Sequence, residues 1–496
     1  MSVSGSRAEA VRHANRSRPA AVGGRDRSAG TGRRRVPVNK ILIRRASLAA
    51  AIACALIASP SGALASGFQL IEQNGSGLGN AYAGQAAAAE DASAIFFNPA
   101  GLTRVQGLQV VAALNLIRPS PDFSDGGSTP ATLQPTLGGT GGDGGSLALV
   151  PNGYVSFETV PGVIWTGLGL SVPFGLETEW DSGWMGRFHA IKSAVQTINL
   201  NPTVAWKVAP WLSLGAGANY QWLDAELTNS VNYSAAAFAV GGATALGALA
   251  ASGCGGATGG CEGVANVSGD TWSWGWNVGA LVELPTKTRV GVSYRSRIKH
   301  YVKGDVSFAN RPALLAAGLP DGAIQTTIEL PDTLSAAVAQ PVGDALELLA
   351  DYTWTGWSTL KDLSIFRESG APLTSTPLEF DDSWRVGLGA SYRATEALKI
   401  RLGTAYDRTP VQDEFRTPRL PDEDRWWLAG GVQWAFTRQA ALDVGAAYLI
   451  IDEASSDLPN VDASPPAGFS APPRGHLVGS YDASVWLASA QVRFSF

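Results

Sequence analysis

The stretch LSLGAGANYQW, Leu212 to Trp222, alternates apolar residues with small or polar ones along its whole length. Side chains of a β-strand point alternately to its two faces, so this period of two predicts a strand with one apolar face. The apolar face consists of Leu212, Leu214, Ala216, Ala218, Tyr220 and Trp222. The same alternation recurs in RVGVSYRSR, SWRVGLGASYR, LKIRLGTAYD, ALDVGAAYLI and VWLASAQVRFSF. The chain after Gly107 is therefore predicted to be all-β.

Three details favour a membrane-spanning barrel over a soluble β-sandwich. The alternating segments have about 10 to 15 residues, the length that a tilted strand needs to cross a bilayer. Aromatic residues gather at the predicted strand ends, as they do at a membrane interface. They are Tyr220, Trp222, Trp272, Trp274, Trp276, Tyr352, Trp354, Trp426 and Trp427. The last residue, Phe496, ends an alternating strand, which resembles the assembly signal of bacterial outer-membrane barrels and makes the barrel assembly machinery an expected partner during biogenesis.

The predicted fold is a transmembrane antiparallel β-barrel of about 14 strands over residues 106–496, an even number that suits a barrel with both termini in the periplasm. The strands are predicted near 105–118, 147–158, 162–173, 194–208, 211–226, 270–284, 287–306, 322–340, 344–356, 381–393, 397–408, 424–436, 440–452 and 482–496. Tight connections at TVPG, APW, PTK, VGD, ATE and TRQ alternate with long ones. A barrel of this size is too wide for its own side chains to fill, so without a plug it would be a water channel.

The first 65 residues carry signals for export. Residues 1–40 are arginine-rich without an apolar period, which indicates a disordered basic extension or a start codon assigned too early. Residues 41–65 are predicted to be a signal peptide, with an apolar run from Leu48 to Ala58 that is too short to span a bilayer and a small-residue cleavage site at Ala63 to Ala65. Ser66 is then the expected mature N-terminus, and the bacterial outer membrane is the expected location.

The remaining chain is acidic. Without the first 65 residues its net charge is about −15, which argues against nucleic acid as a partner. Cys254 and Cys261 lie in the glycine-rich stretch GCGGATGGC, where an oxidising compartment would allow a disulfide. No further metal ligands lie near these cysteines in the sequence, so no metal site is expected.

The segment 66–105 precedes the first strand and contains SGFQLIEQNGSGLGNAYAG. A phosphate-binding loop would need a buried strand before the glycines, a third glycine at its proper place and a lysine after them, and none of these is present. A small, weakly periodic segment fits best inside the lumen, where glycines let the backbone approach the wall. The candidate plug residues are Gly67, Phe68, Gly77, Gly79, Asn98, Pro99 and Ala100, with a turn at Asn98-Pro99.

Ten segments in order are similar to those of the FadL family of outer-membrane long-chain fatty acid channels, and the resemblance runs from Ser66 to Phe496. They are SGFQL, GSGLGNAYAG, NPAGL, WDSGWMGRFHA, LNPTVAWKVAPWLSLGAGANYQW, LPDTLSAAVAQPV, DYTWTGWSTL, DSWRVGLGASYR, TAYDRTPV and LPDEDRWWLAGGVQWAF. The resemblance implies that a hydrophobic ligand is captured on extracellular loops, moves to a pocket beside the plug and leaves sideways through the barrel wall. It also implies no cofactor and a barrel that works as a monomer among outer-membrane lipid and lipopolysaccharide.

The family opens its wall at a kink in the third strand. In this sequence that strand ends in SVPFGLETEW, where Pro173 lacks an amide donor and Gly175 permits unusual backbone angles. We therefore expect a lateral gap at Pro173 and Gly175. The alternative is that these residues merely begin a loop.

Two long loops are apolar although they lie outside the membrane: Tyr233 to Ser252 and Arg311 to Pro320. Exposed apolar surface of that size usually marks a binding site, although the two loops could instead pack on each other as a lid. The candidate ligand contacts are Phe238, Val240, Leu246, Leu249, Leu314, Leu315 and Leu319.

Arginines on the polar phase of the strands are expected to face the lumen: Arg295, Arg297, Arg385, Arg393, Arg401 and Arg493. Arg295 and Arg385 are candidates to hold a fatty acid carboxylate. Most of the arginines are expected to pair with Glu347, Asp351, Asp443 or plug residues. The family also includes channels for aromatic hydrocarbons, which need no cation, and the sequence alone does not separate the two ligand classes.

Two other functions are alternatives to the uptake of a hydrophobic ligand. An acyl-processing enzyme usually needs a histidine beside a serine, but His189, His300 and His476 cannot be paired with one, so the protein is expected not to be an enzyme. A polar-solute porin would lack a plug, and deletion of Ser66 to Val105 would then leave its conductance unchanged.

Overall fold

The computed structural model describes residues 67–458 and 473–496, so the predicted basic extension and signal peptide lie outside the described residues. The described strands form one antiparallel sheet that closes where the first strand pairs with the last. They are β1 Leu108–Asp125, β2 Ala148–Val160, β3 Ile164–Ser171, β4 Gly175–Glu179, β5 Lys192–Ala209, β6 Leu212–Asn232, β7 Glu262–Glu283, β8 Arg289–Arg295, β9 Ile298–Ala309, β10 Gly322–Leu330, β11 Thr333–Val342, β12 Leu346–Thr355, β13 Asp362–Arg367, β14 Pro372–Pro377, β15 Ser383–Arg393, β16 Leu398–Asp407, β17 Arg425–Ala435, β18 Ala440–Ile451, β19 Ala454–Leu458 and β20 Leu477–Ser495.

These strands make a closed barrel of 14 segments, as predicted. Three segments are each interrupted once, so that β3 with β4, β8 with β9, and β10 with β11 follow one another along the wall. The hairpin of β13 and β14 and the short β19 belong to long connections. Several strands extend farther than predicted: β6 and β7 remain paired up to Asn232 and Glu262, because the hairpin ladder continues above the apolar band.

The alternation predicted from the sequence matches the two faces of the wall. On β6, Leu214 is 41% exposed on the outer face, whereas Asn219 and Gln221 are buried toward the lumen. Trp426 likewise faces outward at 50% exposure. The prediction that its neighbour Trp427 belongs to the outer aromatic band is wrong: Trp427 is fully buried, because consecutive residues of a strand point to opposite faces.

The break between β8 and β9 shifts the alternation by one residue. Ser296 exchanges hydrogen bonds with the backbone of Trp276 at this point. Arg297 and Lys299 consequently have side chains about half exposed, at 50% and 48%. The prediction that Arg297 faces the lumen is therefore wrong, because it assumed one uninterrupted strand.

Residues 67–107 fill the lumen. They form three short helices, α1 Gly75–Leu78, α2 Gln85–Ala88 and α3 Ala94–Phe97, followed by a 3-10 helix, Pro99–Arg104. Helix α1 packs on β17, β18 and β20, α2 on β8 and β11, and the 3-10 helix on β5, β6 and β7. Contacts with strands all round the wall place this segment, called the plug below, inside the barrel.

A further helix, α4 Tyr233–Ala251, connects β6 to β7 and is kinked at Gly241 and Gly242. A disulfide joins Cys254 to Cys261 just after it, with 5.0 Å between the Cα atoms. The disulfide closes the turn that returns the chain to β7.

Candidate functional site

The Asn98-Pro99 turn is fastened to both the plug and the wall. The Asn98 side-chain amide donates to the carbonyl oxygens of Ala86 and Ala280, at 2.7 and 3.0 Å, and its oxygen accepts from the Ala100 amide at 3.1 Å. The wall makes room for the turn with Gly279, because a Cβ there would collide with the Asn98 side chain. The residues predicted to form the plug turn therefore fix the C-terminal half of the plug to β7.

A buried ionic network fixes the middle of the plug. Glu90 pairs with Arg401 at 2.7 Å and with Lys399 at 3.1 Å. Arg401 also pairs with Asp443 at 2.6 Å, and both of these wall side chains are buried. Removing one partner from such a network leaves a buried charge without compensation, so this part of the plug resists displacement. Arg401 thus pairs with a plug residue and with Asp443, one of the acidic residues expected to pair with the arginines.

The wall is interrupted between β3 and β4, where the structure places Pro173 and Gly175. Among the described residues, β2 pairs with β3 from Gly153 onward and has no ladder partner on β4. The N-terminal segment of the plug covers the break: the Leu70 amide donates to the Pro173 carbonyl oxygen and the Gly175 amide to the Phe68 carbonyl oxygen, each at 2.9 Å. We call residues 67–73 the seal segment.

The first two residues of the seal segment are held by contacts near the break. The Gly67 amide donates to a carboxylate oxygen of Asp422 at 3.0 Å. The Phe68 ring packs against Trp357 and Phe174, with ring centroids 4.8 and 6.0 Å apart. These contacts are hydrogen bonds and aromatic packing, whereas the middle of the plug is held by ion pairs.

A lumen cavity of about 100 Å³ lies between the seal segment and the opposite wall. It brings together both predicted carboxylate-binding candidates, Arg295 and Arg385. Its apolar lining is provided by Leu70, Ile71, Phe96, Phe97, Trp384 and Trp427. A cavity with two guanidinium groups and aromatic walls can hold an amphipathic anion.

The two arginines differ in how their charge is compensated. Arg385 forms an ion pair with Asp351 at 3.4 Å. Arg295 donates to the Asn219 side-chain oxygen and, at 3.0 Å, to the Phe96 carbonyl oxygen, and its guanidinium lies 4.3 Å from the centre of the Phe96 ring. None of the ion pairs formed within residues 67–458 and 473–496 includes Arg295. Arg295 is thus a cation held by neutral groups at the wall of the cavity.

A larger groove of about 700 Å³ lies outside, between α4 and the upper ends of β6, β7 and β9. Two of the predicted ligand contacts, Phe238 and Leu319, line this groove. Leu249 and Leu315 instead belong to a buried cluster with Tyr233, and Leu246 is also buried. Val240 and Leu314 are exposed, at 75% and 48%. The two apolar loops thus pack on each other at Leu249 and Leu315 and leave a groove at Phe238 and Leu319, whose use as a binding site stays a prediction.

The basic end of this groove was not predicted from the sequence. Arg474 lines the groove, and Arg419 donates to Asn229, another lining residue, at 3.4 Å. Burial lowers the pKa of Arg419 to about 10, with a smaller effect from the charge of Arg474, so the guanidinium is still protonated at neutral pH. Both arginines lie in loops without periodicity, and only the tertiary structure brings them together.

The chain is similar to known outer-membrane proteins. Residues 55–496 match the family described as outer membrane protein transport protein (OMPP1/FadL/TodX). A long-chain fatty acid transport protein of Escherichia coli O6:H1 is 31% identical over 425 residues, which cover 83% of this chain and 92% of that protein. The crystal structure of a Pseudomonas aeruginosa FadL homologue has a TM-score of 0.76 at 23% identity, covering 87% of this chain and 100% of that one. The Pseudomonas putida toluene transporter TodX has a TM-score of 0.58 at 17% identity, covering 82% and 94%.

Proposed function

Because the chain belongs to the outer membrane protein transport family (OMPP1/FadL/TodX) and is a barrel of the bacterial outer membrane, we propose that it is a passive uptake channel for long-chain fatty acids. The observation that carries this choice of ligand is Arg295, a guanidinium in the lumen cavity whose described partners are all neutral. A fatty acid carboxylate would supply the charge-assisted hydrogen bonds that such a group makes best.

In this proposal the groove between α4 and the upper ends of β6, β7 and β9 captures the acyl chain. Its volume of about 700 Å³ is within the usual range for ligand sites, and Phe238 and Leu319 offer apolar contact. Arg474 and Arg419 attract the carboxylate to the same end of the groove. Capture thus uses a surface that combines apolar area with positive charge.

Release is proposed to occur sideways, through the break between β3 and β4. The seal segment lines the lumen cavity with Gln69, Leu70 and Ile71 and also covers the break. Its displacement would therefore enlarge the cavity and open the wall in one movement. An acyl chain that moves directly into the bilayer avoids exposing its apolar surface to periplasmic water.

One observation favours a second candidate, an aromatic hydrocarbon channel. The lumen cavity is small, about 100 Å³, and Phe96, Phe97, Trp384 and Trp427 line it with aromatic rings. Such a cavity would accept a small ring, which needs no cation. The two candidates differ in whether Arg295 contributes to binding.

We expect the substitution Arg295→Met to weaken binding of a long-chain fatty acid about 10- to 100-fold, because hydrogen bonds to charged groups contribute about 1.5 to 3 kcal/mol. Toluene binding should be unchanged. Competition binding with both ligands on purified protein measures the two effects, and Arg393→Met, at an exposed arginine on the same wall, is the matched control. Equal fatty acid affinity in the Arg295 variant would favour the hydrocarbon channel.

The groove, the lumen cavity and the break between β3 and β4 all belong to one chain, and the remaining parts of the proposal rest on this. The barrel works as a monomer surrounded by outer-membrane lipid and lipopolysaccharide, needs no cofactor and catalyses no reaction. Phe496, at the end of β20, is the expected contact for the barrel assembly machinery. The filled lumen supports this proposal over a polar-solute porin.

A further inference from the structure

The seal segment contains a buried carboxyl group that the proposed transport path does not use. Glu72 is 2% exposed and lies between Ile71, which lines the lumen cavity, and Gln73, which is fully buried. One of its carboxyl oxygens has no hydrogen-bond partner among the described residues. A carboxylate in that position would be costly, because burial disfavours the charged form.

The side-chain donors of Asn115, Asn152 and Tyr154 are engaged with main-chain oxygens, whereas the backbone amide of Glu72 itself hydrogen-bonds to the Glu72 carboxyl group and favours its ionised form. The side-chain amides of Asn115 and Asn152, on β1 and β2, both donate to the Glu72 carbonyl oxygen, at 2.7 and 3.0 Å. The Tyr154 hydroxyl donates to the Gln73 carbonyl oxygen at 2.9 Å. These bonds hold the backbone of the seal segment, so the three side chains do not donate to the Glu72 carboxyl group.

The acceptors, in contrast, are in excess. The side-chain oxygens of Gln73, Asn115 and Asn152 are buried and, like the Glu72 oxygen, have no partner in the part of the chain that the structure describes. A carboxylate adds another acceptor to this set, whereas a carboxylic acid adds a donor. The local hydrogen-bond inventory therefore favours the protonated form of Glu72.

Charged groups on three wall strands also act on Glu72. Arg425 on β17 and Arg385 on β15 favour its ionised form, and Asp407 on β16 opposes it. Arg425 is already paired with Asp422 at 2.8 Å and Arg385 with Asp351 at 3.4 Å. Burial is the largest effect and raises the pKa of Glu72 to about 7. The hydroxyl groups of Tyr82 on the plug and of Tyr154 on β2, which bonds to Gln73, are neutral at pH 7.

We propose that Glu72 is a proton-dependent latch: in its protonated form it holds the seal segment over the break between β3 and β4, and its ionisation loosens that segment. The link to the break is direct, because the side-chain amide of the neighbouring Gln73 donates to the Val172 carbonyl oxygen at 2.7 Å and the Leu70 backbone amide donates to that of Pro173. The inference deepens the proposed function by adding a control of the lateral exit, and its transport consequence rests on that function.

The direction of the pH effect follows from the two states. In the loosened segment Glu72 has an ordinary pKa near 4.5, and in the seated segment a raised one near 7. The seated state is therefore fully favoured below pH 4.5, loses its advantage as pH rises to about 7, and changes little above that. Between pH 6 and pH 8 the ratio of seated to loosened segment should fall on the order of tenfold.

Hydrogen exchange of the purified full chain tests this without any ligand. The protection of peptides that contain Leu70, corrected for the intrinsic pH dependence of exchange, should fall about tenfold from pH 6 to pH 8 in the wild type. Glu72→Gln keeps the size of the side chain and stays neutral, so its protection should be independent of pH. Glu396→Gln makes the same change at an exposed carboxyl group in the turn before β16 and should retain the wild-type pH dependence.

Two results would overturn the latch: the same pH dependence in Glu72→Gln as in the wild type, or protection in the wild type that does not change with pH. Heat-modifiable migration in gels confirms that each variant has a folded barrel. Fatty acid uptake at pH 8, expected to be slower in Glu72→Gln than in the wild type, is the second readout. If uptake of fatty acid is absent from every protein while the exchange results hold, the proposed function fails and the latch stands.

Discussion

A disulfide formed after the double substitution Gln69→Cys with Phe174→Cys is expected to abolish transport. Gln69 and Phe174 face each other in an antiparallel bridge, flanked by the hydrogen bonds from Leu70 to Pro173 and from Gly175 to Phe68. Pairs in that position have Cα atoms about 4.5 Å apart, a distance that a disulfide spans. The crosslink would fix the seal segment over the break, so the uptake rate should fall at least about tenfold while ligand capture outside the barrel persists.

The same protein after reduction is the internal control, since transport should return when the crosslink is opened. The single variants Gln69→Cys and Phe174→Cys control for each substitution alone. Wild-type protein treated with the same reductant controls for loss of the native disulfide between Cys254 and Cys261. Full-rate uptake through a protein shown by mass spectrometry to be crosslinked would exclude this exit.

The substitution Gly279→Val is expected to open the barrel to polar solutes. A Cβ at Gly279 would collide with Asn98, and a larger side chain would fill the space that the Asn98-Pro99 turn occupies. The strand itself should still pair, because valine suits a β-strand. Without a seated plug, a barrel of this width is a water-filled channel, so entry of a small polar dye should rise at least about tenfold.

Dye entry into liposomes that contain the purified variant measures this opening. Gly430→Val is the matched control, because a Cβ there would meet nothing closer than Leu402 at 3.6 Å. A Gly279 variant that folds and remains as impermeable as the wild type would show that the turn is not what seats the plug.

The sequence was sufficient for the number of wall segments, because each strand carries its own alternation and each tight turn has its own signal. It was insufficient to locate a strand break that contains no proline. The break after Arg295 lacks one, and only the exchange of hydrogen bonds between Ser296 and Trp276 reveals the shift that turns Arg297 outward. Pairing between strands depends on tertiary structure, so the local sequence does not predict it.

The location of the candidate site in the chain was easier to predict than the contacts that its side chains make. Pro173 and Gly175 lie at a break because proline cannot donate to a strand ladder, a property of the residue itself. Leu249 and Phe238, however, come from the same apolar helix, and the first packs inside the loops while the second lines the groove. Which leucine or phenylalanine meets a ligand depends on how two loops fold against each other. The uncompensated state of Arg295 likewise depends on neighbours far away in sequence.

The attachment of the plug has a consequence for where movement begins. Its C-terminal end continues within a few residues into β1, where the Leu108 amide and the Phe496 amide each bond to the other residue's carbonyl oxygen. Glu90 adds a second fixed point farther from that end. In a chain tethered in this way, the end farthest from the tether can gain conformational entropy with the fewest contacts broken. In the proposed release, the direction of the polypeptide would thus decide which side of the barrel opens first.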